Sequence, residues 1–162
     1  MTANEIISLL KLEAHPREGG WFRRTYTSHL TTDTPNGKRQ LASAIYYLLT
    51  TDQPVGYLHR NKSNIVHCYH LGAPIRYSVI NSSGKLETTI LGPDINQGHV
   101  PQLLVPGGLW KATEMLSGDY ALITEVVAPG FDYEDNEVAT ADVIGKEFPQ
   151  YLETLKATIK YQ

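Results

Sequence analysis

Apolar and polar positions along the chain fall into two regimes. Near the start, Ile6, Leu9 and Leu10 recur at helical spacing. Thr2 and Glu5 fit a capping box, so a helix is predicted over 3–12, limited by Pro16. The Gly19-Gly20 pair then marks a turn. Residues 21–28, rich in aromatic and Thr side chains, read as a strand, and 29–39 as a polar loop with a Pro35-Asn36-Gly37 turn. From Leu41 the pattern becomes a series of short runs, with strands predicted at 41–49, 56–59, 64–71, 75–80, 85–91, 102–105, 110–115 and 120–127. Asn81-Ser82-Ser83-Gly84 and Ser117-Gly118-Asp119 are hairpin turns between them. No long helical pattern interrupts the series, which argues against a parallel α/β sheet and for an all-β sandwich or barrel. Near the end, Phe148, Leu152, Leu155 and Ile159 return to helical spacing, with Pro149 suited to the first turn of a helix over 149–160. With no repeat, linker or low-complexity tract, the reading is one domain over 1–162, a β core bracketed by two short helices.

Composition narrows the function classes. At 162 residues the chain is long enough to bury a stable core without disulfides, and a 19% charged content excludes a disordered tail or a coiled coil. A net charge of −3 gives no electrostatic footprint for nucleic acid or an anionic membrane, so neither is expected as a partner. No apolar run approaches the roughly 20 residues that span a bilayer, and Glu5 with no basic residues before it makes a poor leader. The single cysteine, Cys68, cannot form an intrachain disulfide, which points to a reducing cytoplasm.

Three of the six histidines, His59, His67 and His70, fall within twelve residues. Any one alone could be a half-buried strand residue; clustering favours a site, because ligand and acid/base chemistry needs converging imidazoles. Alternation places Ile65, His67 and Tyr69 on one face of their strand and Cys68 with His70 on the other. His59, His67 and Tyr69 are therefore the better constellation. Glu125 is a charge inside the apolar run ALITEVVAP. If it faces the interior it needs a partner, and it is then the best candidate general acid or base; otherwise it is a solvent-facing strand position.

Other candidates offer binding groups. Arg23 could place a guanidinium at the mouth of a barrel for a carboxylate or phosphate, or Glu18 and Arg23 could simply close a turn. Gln102 offers a donor and an acceptor, and Trp110 a stacking surface. Alternation lets only one of Trp110 and Lys111 point inward without a bulge, and the same choice holds for Tyr46 and Tyr47, of which Tyr47 is taken as the ligand-facing one. Asp132, Glu134, Asp135 and Glu137 form an acidic, solvated loop, with Phe131 and Asp132 placed to close a pocket.

The run from His59 to Gly72 resembles the first motif of the cupin superfamily, G-x5-H-x-H-x3-4-E-x6-G, and VPGGLWK resembles the second, G-x5-P-x-G-x2-H-x3-N. HPREGGWFRRTYTS, AIYYLL, LGPDINQGHVPQLLVPGGLWKAT and VAPGFDYED are similar to one branch, the domain of unknown function 985 or cupin 5 family, over about 15–137. This resemblance implies a double-stranded β-helix, the cupin jelly-roll barrel, usually as a homodimer, with its chemistry in the lumen. In metal-binding cupins two histidines and a glutamate of the first motif and a histidine of the second hold the ion. The corresponding positions here are His59, Asn61, Ile65 and Lys111. Three of these four are not good ligands, so no metal and no cofactor is expected.

The expectation is a cupin that binds an organic small molecule in a polar and aromatic pocket. His59, His67, Tyr69 and Glu125 are its acid/base candidates, and Arg23, Tyr47, Gln102, Trp110, Lys111 and Phe131 its binding candidates. The alternatives are a metal-free epimerase or isomerase, by analogy with sugar-nucleotide epimerases of the same barrel, a metal-dependent oxygenase, and a structural dimer without catalysis.

Overall fold

A computed structural model describes residues 1–160. Helix α1 (Ala3–Leu10) opens the chain. Its capping box is formed: the Thr2 hydroxyl accepts from the Glu5 amide, and the Glu5 side chain accepts from the Thr2 amide. The strands follow in order: β1 (Glu13–Ala14), β2 (Trp21–Thr27), β3 (Thr31–Thr34), β4 (Gly37–Gln40), β5 (Ser43–Thr50), β6 (Val55–Asn61) and β7 (Asn64–Gly72). They continue with β8 (Ile75–Ile80), β9 (Leu86–Leu91), β10 (Gln102–Val105), β11 (Trp110–Met115), β12 (Tyr120–Ala128) and β13 (Asn136–Val138). Helices α2 (Ala141–Glu147) and α3 (Leu152–Leu155) close it, with 3-10 turns on either side of α3.

Two antiparallel sheets form the body. One runs β1-β2-β5-β12-β7-β10 and the other β13-β6-β11-β8-β9, with β3-β4 as a separate hairpin. The ladders do not close into a continuous ring; the sheets face each other as a jelly roll, and their inward side chains meet in one lumen. Tyr47, Leu49, Ala121 and Ile123 of the larger sheet pack there on Ile75, Tyr77 and Leu91 of the smaller. A second cluster lies on the outer face of the smaller sheet, where α2, α3 and the residues after them cover Leu58, Ile80, Trp110 and Ala112. A third joins α1 to Leu48 and Leu122 on the outer face of the larger sheet. Among the described residues no helix is long and apolar enough to cross a membrane.

The strands expected from Leu41 onward form with ends within a few residues of those predicted. Three expectations need correction. Residues 29–39, read as loop, hold the β3-β4 hairpin. The helix expected over 149–160 is divided: the Thr140 hydroxyl caps α2 through the Val143 amide, α2 ends before Pro149, and only Leu152–Leu155 is α-helical beyond it. The acidic loop is not wholly solvated. Asp135 is buried, with its carboxylate on the Arg39 Nε at 2.8 Å.

Candidate functional site

The polar residues of the lumen come from both sheets and from one loop. Glu125 on β12 and His67 on β7 are directly opposed in the larger sheet. His59 on β6 and Lys111 on β11 are directly opposed in the smaller. His15 and Glu18 arrive on the turn between β1 and β2. All six are buried.

Gly19 and Gly20 bring that turn in. Both have positive φ, 79° and 70°. A Cβ on Gly19 would lie 2.6 Å from the Val55 carbonyl oxygen, and one on Gly20 2.8 Å from that of Leu48. The turn thus lies flat on β5 and β6 in a conformation that favours glycine. The Tyr47 hydroxyl donates to the Gly19 carbonyl at 3.0 Å, and the Tyr57 amide donates to the Glu18 carbonyl at 2.7 Å.

Hydrogen bonds fix the tautomers around Glu18. His15 Nδ1 accepts from the Glu18 amide at 2.9 Å and from the Arg17 amide at 3.3 Å. The neutral ring therefore carries its proton on Nε2, which faces Glu18 Oε2 at 3.9 Å. In His59 the order is reversed. Nδ1 lies 2.6 Å from the Tyr57 carbonyl, which can only accept, so Nδ1 holds a proton. His59 Nε2 then faces Glu18 Oε2 at 3.4 Å. Two lone pairs would repel at that contact, whereas one proton between them serves both atoms. Asn136 Nδ2 anchors the other carboxylate oxygen, Oε1, at 2.8 Å.

The second cluster is built around Glu125. Its Oε1 is 3.6 Å from Lys111 Nζ and 3.2 Å from His67 Nδ1. The Tyr77 hydroxyl lies 3.1 Å from the same His67 nitrogen. Burial raises the Glu125 carboxyl, but the Lys111 ammonium and then His67 outweigh it and hold the group below the usual carboxylate range. Burial, reinforced by Lys111 and opposed by Glu125, lowers His67 to about 4. Burial also lowers His59 and His15, against the pull of Glu18. Near neutral pH the lumen thus holds an ionised Lys111–Glu125 pair and a neutral His67.

His15, Glu18, His59 and Glu125 line a cavity of about 30 Å³ that also touches Ser43, Ile45 and Ile65. That is space for roughly two water molecules. Its mouth is formed by Phe22, Arg24, Phe131 and Tyr133.

Among the residues singled out in the sequence, His59, His67, Glu125 and Lys111 are brought together, and Phe131 stands at the cavity mouth. Tyr47 points inward and ends on the Gly19 turn. Tyr69 packs against the apolar cluster, and its hydroxyl donates to the Gly72 carbonyl, away from the cavity. Gln102 is exposed on an edge strand opposite Cys68, because its neighbour Leu103 takes the inward position opposite His67. Trp110 lies on the outer face, since Lys111 takes the inward one; its Nε1 donates to Glu147 and Arg60 stacks on its ring. Arg23 packs over the outward ring of Tyr46, and Arg24, opposite Ile45, holds the mouth position. Sequence reasoning missed His15 and treated Glu18 as a turn residue. Both lie in a turn without periodicity, and their one signal is the H-P-R-E-G-G run itself, where paired glycines announce a close approach.

The four positions of the cupin metal site do not fit a divalent cation here. Asn61 Oδ1 is engaged by the Ser63 amide, Ile65 has no donor, and Lys111 already sets a positive charge beside Glu125. Among the described residues no group of three or more His, Cys, Asp or Glu side chains is arranged to hold a metal ion.

Comparison with known proteins agrees with this architecture. An uncharacterized protein of Saccharomyces cerevisiae is 36% identical over 135 residues, covering 74% of this chain and 67% of its own. A hypothetical protein from Leishmania major superposes with a TM-score of 0.92 at 28% identity, over 100% of both chains. A Shewanella oneidensis protein gives 0.90 at 31%, over 100% of this chain and 99% of its own. Oxalate decarboxylase from Bacillus subtilis shares the fold alone, with a TM-score of 0.59 at 15% identity, over 94% of this chain and 38% of its own. The family model described as cupin superfamily (DUF985) matches residues 4–139, and the chain belongs to that family.

Proposed function

We propose that this cupin binds an organic small molecule at the lumen cavity and moves a proton on it without a metal. The observation that carries the reading is the contact between His59 Nε2 and Glu18 Oε2 at 3.4 Å. His59 Nδ1 is committed to the Tyr57 carbonyl, Asn136 holds the far oxygen of Glu18, and the contact opens on the cavity. Such a dyad can take a proton from one position of a ligand and return it at another, a net isomerisation that balances without oxidant or reductant. Glu125, across the lumen on the other sheet, supplies a second charged group, with its carboxylate steadied by Lys111 and His67. Burial works against a charged His59, so the proton held between it and Glu18 is readily given up to a ligand, and the atom it leaves then serves as the base.

The test is isotope exchange. The protein is incubated in D2O with a panel of small hydroxy aldehydes, hydroxy ketones and their acids, and deuterium uptake at carbon is read by NMR. Uptake should appear for at least one class and fall by at least about a hundredfold in both Glu18→Gln and His59→Gln. No uptake across the panel, or uptake untouched in both variants, would sink the reading.

We further propose a homodimer. Only Trp21 and Phe22 of β2 are covered by β1, so the rest of β2 is an open edge. Beside it runs an apolar row on the outer face of the larger sheet, Tyr26-Ala44-Val126-Val66-Leu104 across five strands. An open edge and an uncovered apolar row both invite a second copy. Light scattering should give twice the 18.1 kDa chain mass, and Val66→Lys should return it to one. A monomer in the unaltered protein contradicts this.

A further inference from the structure

We infer, resting on the proton-transfer reading above, that the ligand is an anion whose carboxylate or phosphate is held at the mouth by Arg24. The cavity of about 30 Å³ admits only the reacting end of a molecule, so the remainder must lie across the mouth. Arg24 lines that mouth, exposed, with its guanidinium 5.7 Å from the centre of the Phe131 ring. Phe131 is itself fixed: its amide donates to the Ser43 hydroxyl at 2.9 Å, and its ring meets Tyr133 edge-on at 5.0 Å. Tyr133 in turn carries Arg17, 4.6 Å over its ring. An arginine laid on a fixed aromatic ring loses little freedom when it takes an anion, and its planar fork suits carboxylate and phosphate alike.

Arg24 is the one lysine or arginine among the residues that line the cavity and its mouth. Arg39 is committed to Asp135, Asp132 and Glu134; Arg60 to Glu137 and Glu147; Arg76 to Glu114. Lys111 inside is committed to Glu125. The acidic loop begins immediately after Phe131, yet Asp132, Glu134 and Asp135 all turn to Arg39, and Arg24 has no carboxylate within ion-pair distance among the described residues. An anion at the mouth would face Arg24, while its far end met the dyad.

Matched pairs test this: glycerol 3-phosphate against glycerol, lactate against lactamide, and glucose 6-phosphate against glucose, each titrated into the 15N-labelled protein. At least one anion should bind about tenfold or more tighter than its neutral partner, with resonances of Arg24 and Phe131 shifting. The lactate and phosphate arms separate carboxylate from phosphate recognition. Arg24→Met should erase the preference, and Arg23→Met should leave it. His59→Gln should keep the preference while losing deuterium exchange. Equal binding within every pair, no binding by any anion, or a preference that survives Arg24→Met would overturn the inference. Exchange that persists in Arg24→Met, with the anion preference also intact, would do so while the proton-transfer reading stood.

Discussion

Along β12 the inward residues change character within a single strand. Ala121 and Ile123 join an apolar cluster with Leu49, Ile75 and Leu91, all fully buried. Two residues further, Glu125 meets Lys111 and His67. The same strands therefore line two halves of one lumen with opposite chemistry. In the apolar half, close packing replaces contact with water, and each removed methyl group is felt as lost transfer energy and a cavity. In the polar half, burial alone is unfavourable, and each charge is tolerable only because a partner meets it. The packed half can hold the sheets at a fixed separation, so that groups from both sheets and the Gly19-Gly20 turn converge on Glu18 and Glu125. The halves should accordingly fail in different ways.

The largest effect is expected from Lys111→Met. It leaves the Glu125 carboxylate buried without a cation, and breaking one side of a buried pair costs about 3–5 kcal/mol. The double variant Lys111→Met/Glu125→Gln should recover most of that loss in urea unfolding. A single variant within about 1 kcal/mol of the parent would contradict the pairing. In the apolar half, Leu49→Ala should cost about 2–5 kcal/mol by cavity formation, yet leave ligand exchange intact in the protein that remains folded. Loss of exchange in Leu49→Ala at a temperature well below its midpoint would erase the distinction between the halves.

Acid should act on the polar half. His67 is lowered from 6.5 to about 4 in the folded chain, so the unfolded chain binds the proton more readily between those values. Stability from this group is fully present above about pH 6.5 and declines as pH falls toward 4, by roughly 3 kcal/mol in all. Glu125, lowered in the folded state, adds a loss at still lower pH. His67→Gln should flatten the decline between pH 6.5 and 4, seen as a smaller change in urea midpoint. An unchanged slope would mean that His67 does not carry it.

The smallest effect is expected from chelation. With Lys111 in place of a ligand and Ile65 offering no donor, EDTA should leave the melting temperature where it was. A drop of several degrees would show a metal contributing to the fold.

The period-two alternation that made the strands legible also made part of the lumen legible. It placed His67 on one face with Ile65, and it reduced Trp110 and Lys111 to a single choice. It did not say which of the two faced in. That depended on α2 and the residues after it covering Trp110, a long-range contact without a local signal. Tyr69 shows a different limit. It shares the inward side with His67, but it lies two residues further along β7, opposite Ile123 in the apolar half, where its hydroxyl turns to the Gly72 carbonyl. Arg24 took the mouth position expected of Arg23 because β2 pairs with β5 in the register Arg24–Ile45, which no run of residues 21–28 announces. His15 and Glu18 were the least legible of all, since a turn residue acquires a partner only when the turn is laid against another strand.

The proposed chemistry turns on one proton shared between His59 Nε2 and Glu18 Oε2 while His59 Nδ1 stays protonated. Long-range 15N–1H NMR of the histidine side chains, in the parent protein and in Glu18→Gln, tests it most directly. His59 Nδ1 should be protonated at neutral pH, and the Nε2 resonance should move strongly when Glu18 becomes Gln while that of His70 does not. A His59 ring whose proton sits on Nε2 alone, with both nitrogens unmoved by Glu18→Gln, would contradict it.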